Sequence, residues 1–265
     1  MRYGSYEWLA MPFGLMDIPV VFQWFVNTVF ADLLDVSVIV YLDDILIMSV
    51  KSSDVFINMG YTYVKPEKCE FNTESTEYFR YQLSPTSLTM SLDKVQTILD
   101  WPKLWKVKDV HSFLGFANFY HGFIYNYSDI VTSLTHLTCK GVLWTFINSC
   151  HTTFQQLKEA FTFAPILVHW VSNAPLIVET NTSDYAIAGI LLIHCTDEEI
   201  VPVAYYSWTL LALELNYDTH DKEHLTIHEL FRLWCHYLEG LAELVDVVTD
   251  HKNLKYFSTT KLLTW

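Results

Sequence analysis

The sequence has little positive charge: 16 lysines and arginines stand against 30 aspartates and glutamates in 265 residues, a formal net charge of −14. A free-standing nucleic-acid binder needs clustered Lys and Arg to neutralise phosphates, so the composition argues against that class. Charged residues are also few, at 17% of the chain against 51% apolar. This balance excludes an intrinsically disordered chain, which combines low hydrophobicity with high charge density.

Long apolar runs and paired cysteines are missing as well. The longest apolar run, 186–193, is far shorter than the roughly 18 residues that a membrane-spanning helix needs. The five cysteines are widely spaced and form no Cys-x-x-Cys pair. They indicate reduced thiols in an intracellular protein, either cytoplasmic or nuclear, without membrane association.

Hydrophobic spacing predicts the elements of the first half. Residues 17–34 have apolar side chains at helical intervals, with Asp17 placed to accept hydrogen bonds from the first N–H groups. Two Val- and Ile-rich runs, 36–42 and 45–48, predict a tight hairpin of buried strands with Asp43 and Asp44 as its turn. Short strands and loops are expected over 51–92.

The second half alternates between helical and extended patterns. A domain boundary is expected within 128–150. The predicted helices lie within 93–127 (one of them starting near Asp109), at 154–163 and at 213–238. The predicted strands are 175–180, 186–193, 201–207 and 244–249.

Adjacent carboxylates at Asp43 and Asp44 repel one another, and burial between strands increases the cost. A divalent cation such as Mg²⁺ would remove that cost, because it prefers oxygen ligands. The alternative is an ordinary Asp-Asp turn at a hairpin tip, which needs no metal.

The residues around this pair resemble a known family. The segment 41–47, Tyr-Leu-Asp-Asp-Ile-Leu-Ile, resembles the polymerase motif of reverse transcriptases. Segments in the order found in gypsy-type LTR retrotransposon polyproteins cover nearly the whole chain: 11–15 with Pro19, Phe22 and Gln23, then 65–71, 113–120, 178–180, 216–218, 220–223 and 249–254.

The resemblance implies a mixed α/β (α+β) fold with three parts. These are a partial reverse transcriptase palm at 1–92, a thumb-like helical segment at 93–140 and an RNase H-like domain at 141–265. The implied ancestral activities are RNA-directed DNA polymerisation and cleavage of RNA in RNA–DNA hybrids. The implied partner is an RNA or DNA template-primer, although the acidic charge argues for weak binding.

The resemblance also assigns roles in the polymerase half. Asp43 and Asp44 would hold the catalytic Mg²⁺ or Mn²⁺ ions. Phe13, Gly14 and Tyr41 would lie beside the incoming nucleotide and the template.

In the RNase H-like half, Glu223 and Asp250 match family catalytic carboxylates that ligate metal. Without the family, Glu223 would be interpreted as a charge on the helix surface and Asp250 as a helix N-cap. Asn181 replaces a family aspartate, since 180–183 reads Thr-Asn-Thr-Ser where the family has Thr-Asp-Ala-Ser. An amide carries no charge and offers one good oxygen, so this site is expected to be inactive or nearly so. Asp184 is three residues further along a strand, which places it on the opposite face.

His220, His224 and His228 share one helix face at a spacing that suits zinc. Only His220 matches the family, so an accidental solvated stripe is favoured over a metal site.

Several features suggest a degenerate, truncated copy. Met1 falls inside the palm, so the family's first polymerase aspartate is expected to lie upstream, and about one helix is missing after Ser49. The family's Phe-Leu-Gly-His reads Phe-Arg-Tyr-Gln at 79–82, which removes a glycine at position 81. A truncation near Trp265 is also expected.

Four further positions carry a residue where the family commonly has arginine: Trp24, His121, Trp208 and Cys235. Each is one transition from a CGN arginine codon, which suggests decay of methylated CpG dinucleotides and accounts for part of the acidic charge.

Two hypotheses remain. The chain is either an active polymerase and ribonuclease H, or a catalytically impaired remnant that has become an interaction protein or has no selected role. The substitutions favour the second, and exposed apolar edges of a partial palm would favour self-association.

Overall fold

A computed structural model describes residues 17–48, 65–171, 174–195, 199–241 and 244–249. The chain divides into two compact units, Met1–Arg80 and Tyr81–Trp265. Helices and strands alternate in both, so the predicted mixed α/β class is confirmed. No helix within the described ranges is both long and apolar enough to cross a membrane.

The helices are α1 (Ile18–Val29), α2 (Leu92–Leu99), α3 (Val107–Phe119), α4 (Tyr127–Ile130), α5 (Thr132–His136), α6 (Asn148–Thr162), α7 (Thr219–Leu233) and α8 (Cys235–Leu238). The strands are β1 (Val38–Tyr41), β2 (Asp44–Ile47), β3 (Thr76–Tyr78), β4 (Tyr81–Leu83), β5 (Ser87–Met90), β6 (Leu167–Val168), β7 (Leu176–Thr182), β8 (Ala186–His194), β9 (Ile200–Thr209) and β10 (Asp246–Val248).

The first unit is built around α1 and the β1–β2 hairpin. Val26 and Phe30 from the helix and Val38 from β1 form a small buried cluster. The helix ends at Val29 rather than at residue 34, because the amides of Leu33 and Leu34 turn back to the Phe30 carbonyl. Asp17 makes no side-chain capping bond; its backbone carbonyl accepts the bond from Val21 instead.

The second unit contains a four-stranded sheet in the order β10-β7-β8-β9. Strands β7, β8 and β9 are antiparallel neighbours, and β10 runs parallel to β7. Helix α7 covers one face, where Leu230 and Trp234 join a buried apolar cluster with Leu176, Val178, Leu191, Ile193 and Val203. On the other face, the backbone N–H of Ser128 in α4 donates to Ser207 Oγ of β9 at 2.9 Å.

A second apolar core in this unit is formed mainly by side chains of helices α2 to α6. Strands β4, β5 and β6 are antiparallel neighbours beside it. Its buried side chains include Ile98, Leu104, Phe113, Tyr120, Leu157 and Phe161. Tyr81, where the family has glycine, stacks on Phe119 with ring centroids 5.5 Å apart, and its φ is not in the left-handed region. The lost glycine therefore costs no backbone strain at this position.

Helix bounds were predicted less well than strand bounds. The expected helix 213–238 is three pieces: a 3₁₀ turn at Glu214–Asn216, then α7, then α8. The helical pattern at 93–127 is divided between α2 and α3 by an extended segment in which Leu104 is buried. Helix α6 begins at Asn148, six residues before the predicted start, within the stretch expected to hold a domain boundary. The four predicted strands of the second half are all present.

The close approach of α7 to the sheet depends on a glycine. A Cβ added at Gly189 in β8 would lie 2.3 Å from Leu230 Cδ1, and Leu230 is fully buried, so its side chain has no free space into which it can turn. Small-to-large changes in a packed core commonly cost about 1–3 kcal/mol.

We expect Gly189→Ala to lower the free energy of unfolding by about 1–3 kcal/mol, measured by urea denaturation. Gly115→Ala is the matched control, because it lies inside α3 with nothing within 4 Å of the added Cβ. Alanine should stabilise that helix by roughly 0.5–1 kcal/mol. Equal effects of the two substitutions would contradict the packing argument.

Candidate functional site

The hairpin that carries Asp43 and Asp44 differs from the predicted one in its turn. Tyr41 pairs directly with Asp44, so the two turn residues are Leu42 and Asp43, and Asp44 is the first residue of β2. Both aspartates are exposed, which corrects the expectation of carboxylates held between buried strands. Of the strand residues, Val38 alone is fully buried, while Ile39 and Tyr41 are exposed.

Gln23 of α1 fixes the turn from the helix side. Its Oε1 accepts a hydrogen bond from the Leu42 amide at 2.7 Å, and its Nε2 donates to the Val40 carbonyl at 3.2 Å. Nε2 also donates to Asn27 Oδ1 at 2.8 Å, one helical turn further on. Leu42 has a φ of +51°, a left-handed conformation that is costly for a branched residue. The Gln23 side chain therefore pairs one backbone group of β1 and one of the strained turn itself.

Aromatic residues of β3 and the turn after it lie against the hairpin. The rings of Tyr41 and Phe79 meet edge to face with centroids 4.3 Å apart. The Tyr78 hydroxyl is buried and has no hydrogen-bond partner among the described residues. Burial raises the pKa of Tyr78 above its ordinary value, and the negative charge of Asp44 raises it further. The side of the hairpin that faces Tyr78 is therefore poorly solvated, whereas the Asp43–Asp44 tip is open to solvent.

The chemistry of Asp43 and Asp44 suits a divalent cation, because exposed carboxylate oxygens are ligands that Mg²⁺ accepts. No third histidine, cysteine or acidic side chain joins them in a cluster within the described ranges. Phe13 and Gly14, predicted to contact nucleotide and template, lie outside the described residues.

The second candidate site lies where β7, β10 and α7 meet. Thr180 Oγ1 of β7 donates to the Val248 carbonyl of β10 at 3.3 Å, and Thr249 Oγ1 donates to Glu223 Oε2 of α7 at 3.3 Å. Thr182 and Thr226 join β7 to α7 through a hydroxyl–hydroxyl bond of 2.7 Å. These contacts bring together the neighbours of the three family catalytic positions, although Asp250 itself lies outside the described residues.

Glu223 is buried, with 3% of its surface exposed. This rules out the alternative interpretation of Glu223 as a solvated helix-surface charge. Lys222 is also buried, and its Nζ lies 3.5 Å from the Asp184 carbonyl, while the Asp184 side chain is exposed. The inner face of the first turns of α7 is therefore polar, in contrast to the apolar face further along the helix.

Asn181 points away from α7. Its neighbour Thr180 pairs with Gly189, which faces Leu230 of α7, so the alternation of the strand places Asn181 on the opposite face with Ala188. There Asn181 Nδ2 donates to the Tyr125 hydroxyl at 2.8 Å. No local pattern in the sequence predicts this contact, because 56 residues separate the two side chains.

Among the described RNase H-like residues, no group of carboxylates is brought together that could hold two metal ions. The amide of Asn181 has no charge and uses its nitrogen on Tyr125, and Glu223 is buried under a hydroxyl donor. A two-metal site needs several carboxylates around the ions, and no such cluster includes Glu223 within the described part of the chain.

The histidine stripe has local partners on its own helix. His224 Nδ1 contacts the His220 carbonyl at 2.7 Å, and His228 Nδ1 lies 3.3 Å from Glu229. Arg232 donates to the same Glu229 carboxylate, which holds the pKa of Glu229 below its usual range. Asp218, His220 and Asp221 form an exposed cluster at the start of α7. The three histidines do not converge on one point.

The positions where the family has arginine are exposed or half-buried. Trp24 is 68% exposed and Trp208 is 50% exposed. Cys235 is also exposed, and His121 is half-buried with Nδ1 2.6 Å from the Asn118 carbonyl. These are surface positions at which a charged side chain could reach solvent or phosphate.

We expect Gln23→Met, which keeps the chain length but removes both hairpin contacts, to destabilise the first unit by about 1 kcal/mol. The Leu42 amide should exchange with deuterium markedly faster, because its acceptor is gone. Asn27→Ala is the matched control, since it removes the bond between the two helix side chains and leaves the hairpin contacts in place. Unchanged exchange at Leu42 in Gln23→Met would show that the turn does not depend on Gln23.

Two protein families match separate parts of this chain, one around Asp43 and Asp44 and the other around Asn181 and Glu223. The family "Reverse transcriptase (RNA-dependent DNA polymerase)" matches residues 1–117, and "RNase H-like domain found in reverse transcriptase" matches residues 146–247. The Transposon Tf2-3 polyprotein of Schizosaccharomyces pombe is 31% identical over 260 residues, and the Transposon Tf2-7 polyprotein of the same yeast is 30% identical. Each alignment covers 95% of this chain and 20% of the relative, so the chain spans one fifth of the length of these polyproteins.

Solved structures show the same fold. The foamy viral protease-reverse transcriptase in complex with RNA/DNA hybrid aligns with a TM-score of 0.73 and 21% identity, over 97% of this chain and 36% of that one. The same viral protein in complex with dsDNA aligns with a TM-score of 0.75 and 22% identity, over 96% of this chain and 54% of that one. The family matches show a reverse transcriptase domain and an RNase H-like domain in this chain, and the solved structures share its fold.

Proposed function

We propose that this reverse transcriptase/RNase H-like fragment is catalytically impaired, and that its RNase H-like domain does not cleave RNA in a hybrid. The observation that carries the proposal is Asn181, an uncharged amide bonded to Tyr125 at a position where the family has aspartate. Two-metal hydrolysis requires anionic ligands that hold and bridge the ions, and an amide cannot replace one. Asn181, Glu223 and Asp250 are thus the remains of that ligand set.

The polymerase half keeps more of the family's motif residues than the RNase H-like half does. Asp43 and Asp44 are the candidate ligands for Mg²⁺ or Mn²⁺, which both families use, and Phe13, Gly14 and Tyr41 are the candidate contacts to nucleotide and template. Within the described residues no third carboxylate joins them, and two carboxylates alone make a weak two-metal site. We therefore expect divalent cations to bind at this tip with low affinity.

The proposed partner is an RNA or DNA template-primer, bound weakly. The foamy viral relatives are solved with RNA/DNA hybrid and with dsDNA. The net charge of −14 opposes association with phosphates. Self-association is part of the proposal, because Val20, Trp24 and Phe25 of α1 are each more than half exposed.

The division into palm at 1–92, thumb-like segment at 93–140 and RNase H-like domain at 141–265 is likewise proposed, from the motifs. So is an intracellular location. The cysteines of the described residues are all free, which is consistent with a reducing compartment.

The hydrolytic half of the proposal is tested with a labelled RNA strand in an RNA–DNA hybrid, incubated with Mg²⁺ or Mn²⁺. We expect the wild-type chain to release no more product than Glu223→Gln, which keeps an oxygen acceptor for Thr249 and removes the charge. Thermal unfolding of both proteins checks that they are equally folded. Cleavage by the wild type that is lost in Glu223→Gln would overturn the proposal.

Active RNA-directed DNA polymerisation is the second candidate function. It is favoured by one observation, the pair of hydrogen bonds from Gln23 that hold the Asp43–Asp44 turn in a defined conformation. It is opposed by the lack of a third carboxylate beside Asp43 and Asp44 among the residues that the structure describes.

Primer extension on an RNA template with Mg²⁺ separates the two candidates. We expect the wild type to extend no more primer than Asp43→Ala/Asp44→Ala, because two carboxylates alone hold the ions poorly. Both aspartates are exposed, so the double substitution should leave the thermal midpoint nearly unchanged. Extension by the wild type that disappears in the double variant would establish polymerase activity.

A further inference from the structure

We propose that the surface beside the start of α7 binds a basic, amphipathic peptide segment of another protein. This acidic-apolar surface has an apolar centre and an acidic rim, which consist of Tyr185, Trp208, Leu211 and Leu213 and of Asp184, Asp218 and Asp221. It uses none of the candidate catalytic residues. The inference therefore goes beyond the proposed loss of catalysis and does not depend on it.

The aromatic part of the apolar centre lies at the end of the sheet. Trp208 pairs with Ile187 of β8, two residues from Gly189, so it lies on the sheet face that α7 covers further along. The pairing continues past the strands, since the Leu210 amide donates to the Tyr185 carbonyl at 2.8 Å. Tyr185 and Trp208 are therefore diagonal neighbours. Both side chains are at least half exposed.

The two leucines of the apolar centre lie on a loop that hydrogen bonds hold in one conformation. The Leu211 amide donates to Glu214 Oε2 at 2.7 Å, and the Tyr217 amide donates to the Glu214 carbonyl at 3.0 Å. Leu210, just before this loop, is buried, whereas Leu211 and Leu213 are 57% and 80% exposed. A surface that is already held in its shape loses little conformational freedom on binding. Contiguous exposed apolar surface of this kind marks interaction sites.

The acidic rim is continuous with this centre. Lys222 Nζ lies 3.5 Å from the Asp184 carbonyl, which brings the turn after β7 against the first turn of α7. In that helical turn, carboxylate oxygens of Asp218 and Asp221 lie within 4.8 Å of one another. All three aspartates are exposed. The rim therefore presents closely spaced negative charges beside exposed apolar side chains.

Charge decides which partner fits. Between Lys158 and Lys222 the sequence has no lysine or arginine but nine aspartates and glutamates. Lys222 itself is buried, so it adds little positive charge to the surface. Nucleic acids and anionic lipid surfaces would meet like charge here, and a second copy of the chain would bring the same acidic rim. A cationic segment with apolar side chains is complementary to both the rim and the centre.

The probe is a fluorescently labelled peptide of about 14 residues, roughly four helical turns, with leucine on one face and lysine on the other. Its binding to the full-length chain is measured by fluorescence anisotropy, with EDTA present so that no cation occupies the aspartates. We expect saturable binding that weakens as salt is raised, because salt screens exposed charges. Two control peptides, one with glutamate in place of lysine and one with glutamine in place of leucine, should not bind.

Leu213→Ser should weaken binding of the leucine–lysine peptide at least about fivefold, because it removes an apolar contact from the centre of the surface. Leu143→Ser is the matched control, since Leu143 is 85% exposed and lies outside the acidic-apolar surface. It should leave the affinity unchanged. Both side chains are exposed, so the thermal midpoints should stay nearly the same.

Asp184→Asn combined with Asp218→Asn should weaken binding about three- to tenfold, because two exposed charge pairs with the peptide are lost. The matched control is Asp93→Asn combined with Glu159→Gln, which removes two exposed charges from the same unit but outside the acidic-apolar surface. This pair should bind like the wild type.

Three results would overturn the proposal. One is the lack of saturable binding of the leucine–lysine peptide, and another is an equal loss of affinity in Leu213→Ser and Leu143→Ser. The third is a dimer in sedimentation velocity that Leu213→Ser dissociates, which would assign the surface to a second copy of the chain instead of a basic peptide.

Discussion

The packing of α7 on the sheet is the constraint on which the second unit depends. Leu230 lies directly over Gly189, closer than any side chain at that position would permit. This approach brings Thr226 within hydrogen-bond distance of Thr182 and buries Glu223 beside Thr249. A helix displaced outward by the width of a methyl group would lengthen each of these contacts. The same glycine therefore sets both the apolar core and the polar junction that the family uses for catalysis.

The two ancestral sites differ in how their acidic residues meet solvent. Asp43 and Asp44 lie at the exposed tip of the hairpin, whose backbone makes two hydrogen bonds with the Gln23 side chain, so their charges cost little without a cation. Glu223 is buried, and a buried carboxylate needs compensating partners. Thr249 supplies one such hydrogen bond. The hairpin can thus persist as an ordinary turn, while the described part of the RNase H-like junction is joined by threonine hydroxyls and the Glu223 carboxylate.

The acidic charge and the exposed tryptophans share one physical consequence. Where a side chain on the surface is large and apolar instead of cationic, the protein loses attraction for phosphate and gains surface that water solvates poorly. Trp24 and Trp208, which are 68% and 50% exposed, are such side chains. Under the proposed function, weak binding to nucleic acid and self-association would therefore have the same physical cause.

Local patterns in the sequence predicted the strands, the hairpin, the family and the replacement of aspartate by Asn181, because each depends on residues close together in the chain. The break of the long helix at Trp234 and the end of α1 at Val29 were not predictable in this way, since packing of the whole unit decides where a helix stops. Tertiary structure alone decided that Gln23 holds the turn and that Tyr125 holds Asn181. These pairs are 19 and 56 residues apart. Hydrogen bonds of a few ångströms between such distant residues arise only after the chain has folded, and no periodicity or composition records them.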